Sequence, residues 1–243
     1  MSLQLQEHIE KDGFRLRGLS PSRVDGFSDA VFAFALTLLV VSLEVPKTFA
    51  QLQASLRGFV GFAVVFYILM QVWWSHYQYF RRFGTHDEWT IRLNGILLFV
   101  VLFYVFPLKF LFNFVTDTMM GVPRHAFDND GQVRELMLLY GVGSAAIRFL
   151  IAALYWNGLR QRKHLELSDL EVTLTRGYIV SASGVGVIGL LACLAAIVLP
   201  ARLAGTSAWT YLLIWPFMRW HNARMRKIVA KQVALYKLTQ SPH

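Results

Sequence analysis

The sequence predicts an all-α membrane protein with six transmembrane helices. Hydrophobic residues make up 55% of the 243 residues and charged residues only 16%, whereas about 25% of the residues in a soluble domain are charged. Apolar windows recur along the whole chain, and each approaches the roughly 20 residues that a membrane-crossing helix needs. We place the six spans at residues 24–45, 56–80, 91–115, 135–159, 174–199 and 204–220.

Local signals set the ends of these spans. The first span follows a polar cluster and is stopped by Pro46; its length of about 22 residues would cover roughly 33 Å as an α-helix. The connection before the fourth span, residues 116–134, is rich in Asp, Asn and Gly, which is typical of turns. The fifth span carries the only cysteine, Cys193, and ends at Pro200, and the sixth is the shortest.

The distribution of lysine and arginine predicts the orientation in the membrane. Basic residues concentrate in the two ends of the chain and in alternate loops, so the positive-inside rule places both termini in the cytoplasm of a multi-pass cell-membrane protein. We therefore divide the chain into a cytoplasmic segment 1–22, a six-helix membrane domain 23–220 and a basic cytoplasmic tail 221–243. The tail is either exposed, or packed under the bundle or against anionic lipid. Topology explains the net charge of +9, and no nucleic-acid partner is expected.

Polar residues of the first three spans should meet at the cytoplasmic face. The first span begins there with Arg23, Ser28 and Asp29, the second ends there with His76, and the third begins there with Asn94. Charges at this depth are costly unless they are paired. These residues are predicted either to form one network between helices or to lie separately in the headgroup zone.

An apolar stripe runs along the first span. Phe34, Leu38 and Val41 share one helical face, with Thr37 about 60° away on the same side. In a monomer such a stripe packs against a neighbour or contacts lipid. In a symmetric oligomer it lines a pore and forms a hydrophobic constriction, and Glu44 then stands at the outer mouth, where it attracts cations.

Other chemistry has no support in the sequence. The chain has no metal-ligand spacing, nucleophile elbow or phosphate-binding glycine loop, so we expect neither an enzyme nor a bound metal or cofactor. Lys109, near the outer end of the third span, can extend its ammonium group to the membrane surface, and a structural role is favoured over a transport role.

The first span resembles the bacterial members of the transmembrane protein 175 family, relatives of an endolysosomal potassium channel. The resemblance rests on Arg23, three intervening residues and then Phe-Ser-Asp, on the following Ala-Phe-Ala-Leu-Thr-Leu-Leu of residues 33–39, and on His76 and Asn94 in the next two spans.

The resemblance implies a homotetramer in which the first helices surround a central pore. It further implies that Arg23, Ser28, Asp29, His76 and Asn94 brace those helices, and that Phe34, Leu38 and Val41 form the constriction. One departure is Phe34, where the family usually has Ile or Leu. Four phenyl rings would either close the pore more tightly or tilt outward.

The function expected from this resemblance is a potassium-permeable cation channel, with K⁺ and other monovalent cations as the permeant ions and with lipid and further copies of the chain as partners. The alternative is a proton- or cation-coupled secondary transporter in which Asp29 and His76 titrate. The sequence lacks paired broken helices in two halves, which disfavours the transporter.

Overall fold

The structure, a computed structural model, describes residues 9–41, 47–119, 127 and 129–240. The described chain is helical apart from short connections and the N-terminal segment. The helices are α1 (Arg23–Val41), α2 (Phe49–Phe83), α3 (Glu88–Met119), α4 (Asp130–Arg160), α5 (Asp169–Val198), a 3₁₀ helix (Ala201–Leu213) and α6 (Ile214–Gln240).

The first five predicted spans each lie on one α-helix, and the end of the first, residues 42–45, lies outside the described residues. Four of the described helices contain segments long and apolar enough to cross a membrane: Phe59–Phe83, Glu88–Leu111, Gly131–Arg160 and Asp169–Val198. Helices α2, α3 and α4 extend beyond the predicted boundaries at both ends. These extensions carry polar residues that hydropathy alone does not assign to a span.

The sixth predicted span, 204–220, is not one continuous α-helix. It begins as the 3₁₀ helix and becomes α-helical only at Ile214. The 3₁₀ part contains Gly205, Thr206 and Ser207, which are weak α-helix formers, and the Thr206 hydroxyl donates to the carbonyl of Leu203 at 2.7 Å. Because a 3₁₀ helix rises about 2.0 Å per residue instead of 1.5 Å, this segment of 13 residues reaches roughly 26 Å instead of 20 Å.

Helix α6 runs without a break through residues 220 and 221, where the sequence suggested that a tail begins. It packs beside α5. Met225 covers Gly177, where an added Cβ would lie 2.6 Å from the Met225 methyl group. Further along, the Gln232 amide donates to Thr173 at 2.8 Å. The first half of the basic segment is therefore part of the helical bundle.

Helices α4 and α5 approach each other most closely, because small residues face each other across their interface. A Cβ on Gly141 would lie 2.2 Å from the Cys193 sulfur and 2.9 Å from the carbonyl oxygen of Gly189. A Cβ on Gly189 would lie 2.8 Å from the Ser144 hydroxyl. Close backbone approach of this kind lets membrane helices associate by van der Waals packing.

The N-terminal segment folds back onto the ends of the helices. Gly13, in the left-handed region at φ 88°, turns the chain so that Phe14 is buried against the ring of Phe83. Arg82 at the end of α2 is 2% exposed and pairs with Glu10 and Asp12 at 2.5 and 2.6 Å. A buried arginine needs such compensation, since removing either acid would leave part of its charge unpaired.

A second ion pair joins the segment to α5. Arg17 binds Glu171 through both terminal nitrogens, at 2.8 and 3.1 Å. Glu171 also completes a capping box with Ser168 at the start of α5. The Glu171 carboxylate therefore caps the start of α5 and also holds the N-terminal segment against that helix.

The α4–α5 interface leads to a stability prediction. Gly141→Ala should lower the free energy of unfolding by about 1–3 kcal/mol, because its Cβ meets both a sulfur and a backbone oxygen. Gly95→Ala is the matched control: nothing lies within 4 Å of its added Cβ, and alanine is the better helix former. Melting temperature in detergent measures both. Equal melting temperatures would show that the interface is looser than the structure indicates.

Candidate functional site

One face of α1 is packed against the rest of the protein. The helix starts with a capping box: the Ser22 amide donates to Asp25 at 2.8 Å, and the Asp25 amide donates to the Ser22 hydroxyl at 3.2 Å. From there the buried residues recur at helical spacing, with Phe32, Ala35 and Leu39 following Ser28. This face packs against α2 and α3.

A chain of buried hydrogen bonds joins α1, α3 and α2. Asn94 in α3 donates from its amide nitrogen to the Ser28 hydroxyl at 2.8 Å. The Asn94 carbonyl oxygen lies 2.7 Å from Nε2 of His76 in α2. All three side chains are almost completely buried. We call this set, Ser28, Asn94 and His76, the inter-helix chain.

The donor directions in the inter-helix chain follow from Ser28. Its hydroxyl donates to the Val24 carbonyl at 2.7 Å, so its oxygen accepts from Asn94. The Asn94 amide is thereby oriented, and its oxygen must accept the proton carried by Nε2 of His76. The neutral His76 ring then has its acceptor nitrogen at Nδ1.

A small polar cavity adjoins the inter-helix chain. It measures about 240 Å³ and is lined by residues that include Asp25, Asp29 and His76. Among the described residues, neither Nδ1 of His76 nor Oδ1 of Asp25 has a hydrogen-bond partner. The cavity is large enough for water, which is the usual partner of such groups.

The two charged residues predicted for the network lie apart. Asp29 is exposed and accepts a hydrogen bond from the Trp73 indole at 2.8 Å. Arg23 is also exposed and, within the described chain, makes neither an ion pair nor a hydrogen bond through its side chain. The structure therefore brings together Ser28, Asn94 and His76, links Asp29 to the neighbouring Trp73, and leaves Arg23 outside.

The opposite face of α1 is open in the protomer. Phe34 is 57% exposed, whereas Phe32, two residues earlier, is 3% exposed. Thr37 is exposed and Leu38 half-buried. The Thr37 hydroxyl donates to the Ala33 carbonyl at 2.8 Å, which leaves its oxygen lone pairs free. Val41 ends α1, but its side chain and the whole of Glu44 lie outside the described residues.

Lys109 braces the other end of α1. Lys109 is 8% exposed and donates to the carbonyl oxygen of Leu39 at 2.9 Å, so its ammonium group is engaged within the bundle. A cation near the C-terminal end of a helix also complements the helix dipole. Helix α1 is thus held by Asn94 near its start and by Lys109 near its end.

Asp87, which sequence reasoning did not select, connects α3 with α4. It accepts hydrogen bonds from Thr90, Gln161 and Asn157 at 2.6, 2.9 and 3.1 Å. Partial burial opposes ionisation of this carboxyl, but the hydrogen bonds prevail and lower the pKa of Asp87 below its ordinary value. Its contribution to stability is thus fully present above the unfolded pKa and is lost as pH falls through the lower folded value. Asp87 directly precedes α3, a position that favours Asp, but the predicted span began only at residue 91 and so did not mark it.

A family model matches the part of the chain that contains this site. The model describes the endosomal/lysosomal potassium channel TMEM175, and the match covers residues 23–104. That range holds α1, α2 and the first half of α3, and so includes the inter-helix chain and the open face of α1.

Similar proteins include named potassium channels. A potassium channel of Marivirga tractuosa is 38% identical over 176 residues, which are 69% of this chain and 71% of that protein. A potassium channel of Streptomyces collinus is 27% identical over 149 residues, covering 59% of this chain and 66% of the relative.

Two solved structures share the fold. The crystal structure of a variant of the potassium channel MtTMEM175, in complex with a nanobody–MBP fusion, matches with a TM-score of 0.77 and 32% identity over 90% of this chain and 99% of that one. A homologue, from Chamaesiphon minutus, of the lysosomal potassium-selective channel TMEM175 matches with a TM-score of 0.54 and 22% identity, covering 82% of this chain and 97% of the other.

The inter-helix chain predicts that Asn94 is important for stability. Asn94→Ala leaves the Ser28 oxygen and the His76 N–H buried without their partner, which should cost about 1–3 kcal/mol in the free energy of unfolding. Asn222→Ala, at an exposed position of α6, is the control and should have little effect. Thermal unfolding in detergent compares them, and an Asn94→Ala protein that melts like wild type would show that these hydrogen bonds add nothing.

Proposed function

Because this chain belongs to the transmembrane protein 175 family of potassium channels, we propose that it is the subunit of a potassium-permeable cation channel in the cell membrane. In this proposal it assembles as a homotetramer of six-span subunits with both termini in the cytoplasm. Residues 23–220 build the channel, and residues 1–22 and 221–243 are cytoplasmic, with α6 continuing past residue 220 beside α5.

The proposal rests on the difference between the two faces of α1, one buried and hydrogen-bonded, the other exposed. Its buried face is hydrogen-bonded to α2 and α3 through Asn94 and His76. Its other face, with Phe34 and Thr37, has no cover in the protomer. A helix held rigidly from behind and open in front is suited to lining a central axis.

Phe34 forms the narrowest layer in the proposed pore. A ring of apolar side chains repels water and hydrated ions alike, and so sets the main barrier to conduction. Leu38 and Val41 form further layers toward the outside, and Glu44 raises the concentration of cations at the outer mouth. No bound cofactor takes part, and K⁺ is the permeant ion.

Thr37 provides a polar step between these apolar layers. The Thr37 hydroxyl donates its proton to the Ala33 carbonyl, so only the lone pairs of the hydroxyl oxygen are available to an ion. An oxygen acceptor stabilises a partly dehydrated cation and gives no such help to an anion. This geometry supports cation permeation without a cage of backbone carbonyls.

The coupled-transporter alternative is less well supported. It needs Asp29 and His76 to exchange protons, and although both line one cavity, no hydrogen bond joins them: Nε2 of His76 is bonded to Asn94 and Asp29 accepts from Trp73. These two residues therefore serve different partners, and the family to which the chain belongs is one of channels.

Truncation of Phe34 tests the constriction. Phe34→Ala should raise potassium flux into liposomes severalfold and reduce the discrimination between potassium and sodium, because ions then pass with more of their hydration intact. Phe34→Asn should also raise the flux, since it wets the same layer.

Phe99→Ala on α3 is the matched control, because the same truncation is made at another highly exposed position. Its flux and selectivity should stay at the wild-type level. If Phe34→Ala left both quantities unchanged while Phe99→Ala altered them, α1 would not present this face to the ions.

A further inference from the structure

Two adjoining grooves lie between the end of α4 and the start of α5, away from the open face of α1. The first, of about 520 Å³, has an apolar wall that includes Trp156, Ile179 and Val180 and a basic edge of Arg160, Arg162 and Arg176. The second, of about 570 Å³, shares Arg162 and Arg176 and adds Lys163. We call the first the α4–α5 groove.

Unlike several other arginines of the protein, the cations of these grooves are unpaired among the described residues, as Arg23 also is. Arg17, Arg82 and Arg92 are each paired with a carboxylate. By contrast, within the described chain, the side chains of Arg160, Arg162, Lys163 and Arg176 make no ion pair and no hydrogen bond. Their donors remain available to a ligand.

Carboxylates do not neutralise the α4–α5 groove. Glu166 and Asp169 line the second groove, but neither lines the first. Three guanidinium groups therefore border an apolar wall without an acid between them. Guanidinium groups bind phosphate through two parallel hydrogen bonds, so this edge is complementary to a phosphate group.

The groove also lies at the depth of lipid headgroups. Arg160 ends a helix long and apolar enough to cross the membrane, and Trp156, one turn earlier, is 56% exposed. Tryptophan is enriched at this boundary, and basic pockets between cytoplasmic helix ends bind acidic lipid headgroups. A soluble anion would use the basic edge and leave the apolar wall uncovered.

We propose that the α4–α5 groove is a binding site for an anionic phospholipid. The phosphate lies among Arg160, Arg162 and Arg176, and one acyl chain follows Trp156, Ile179 and Val180. The site does not depend on the assignment of the pore, since none of these residues lies in α1.

The test uses purified full-length protein to which phosphatidylglycerol is added in a background of phosphatidylcholine. Native mass spectrometry measures the fraction of protein that retains phosphatidylglycerol. The double variant Arg162→Gln with Arg176→Gln should lower this fraction at least severalfold. Trp156→Ala should also lower it although no charge changes. These side chains are exposed, so size-exclusion profiles should remain those of the wild type.

The double variant Arg226→Gln with Lys227→Gln is the control, because it removes the same charge from exposed positions of α6 and should retain the lipid. Equal losses in both double variants would show unspecific attraction and overturn the proposal, as would full retention in the groove variant. Competition by glycerol 3-phosphate as strong as that by the lipid would identify a soluble-anion site and overturn it as well.

Discussion

The position of α1 depends on the buried hydrogen bonds from Asn94. One amide side chain satisfies the Ser28 hydroxyl on α1 and the His76 imidazole on α2 at the same time. Rotating α1 would take the Ser28 hydroxyl away from the Asn94 amide, and in the low-dielectric interior of a helical bundle the unpaired N–H group would cost free energy, although the bond between Asn94 and His76 would remain. The chain therefore determines which face of α1 is buried. Because Phe32 is on that face, Phe34 is on the other.

The charges of the protein divide into three groups with different roles. Buried cations stabilise the fold. Arg82 holds the N-terminal segment through ion pairs with Glu10 and Asp12, and Lys109 donates a hydrogen bond to the Leu39 carbonyl near the end of α1. Asp29, in the second turn of α1, accepts a hydrogen bond from the neutral indole of Trp73. The exposed cations at the end of α4 have no partner in the described chain, and they are the group that we assign to lipid.

The sequence predicts the class of the fold and the identity of the central residues well. Hydropathy and flanking charges locate five helices, and topology correctly brings His76 and Asn94 to the start of α1. Sequence could not predict which polar groups would bond, since a rotation of one residue along a helix, about 100°, exchanges partners such as Arg23 and Ser28. It also missed the docking of Phe14 and Arg17 and the 3₁₀ helix, because these depend on surfaces formed only after the bundle has assembled.

The central claim, that ions pass along the open face of α1, is tested most directly by the accessibility of a cysteine. The sole cysteine is first removed as Cys193→Ala, and Phe34→Cys or Phe99→Cys is then introduced in that background. A small cationic methanethiosulfonate reagent is added while the potassium current is recorded. We expect the reagent to block the current in the Phe34→Cys channel and to leave the Phe99→Cys channel unaffected. Block at position 99 with none at position 34 would contradict this pathway.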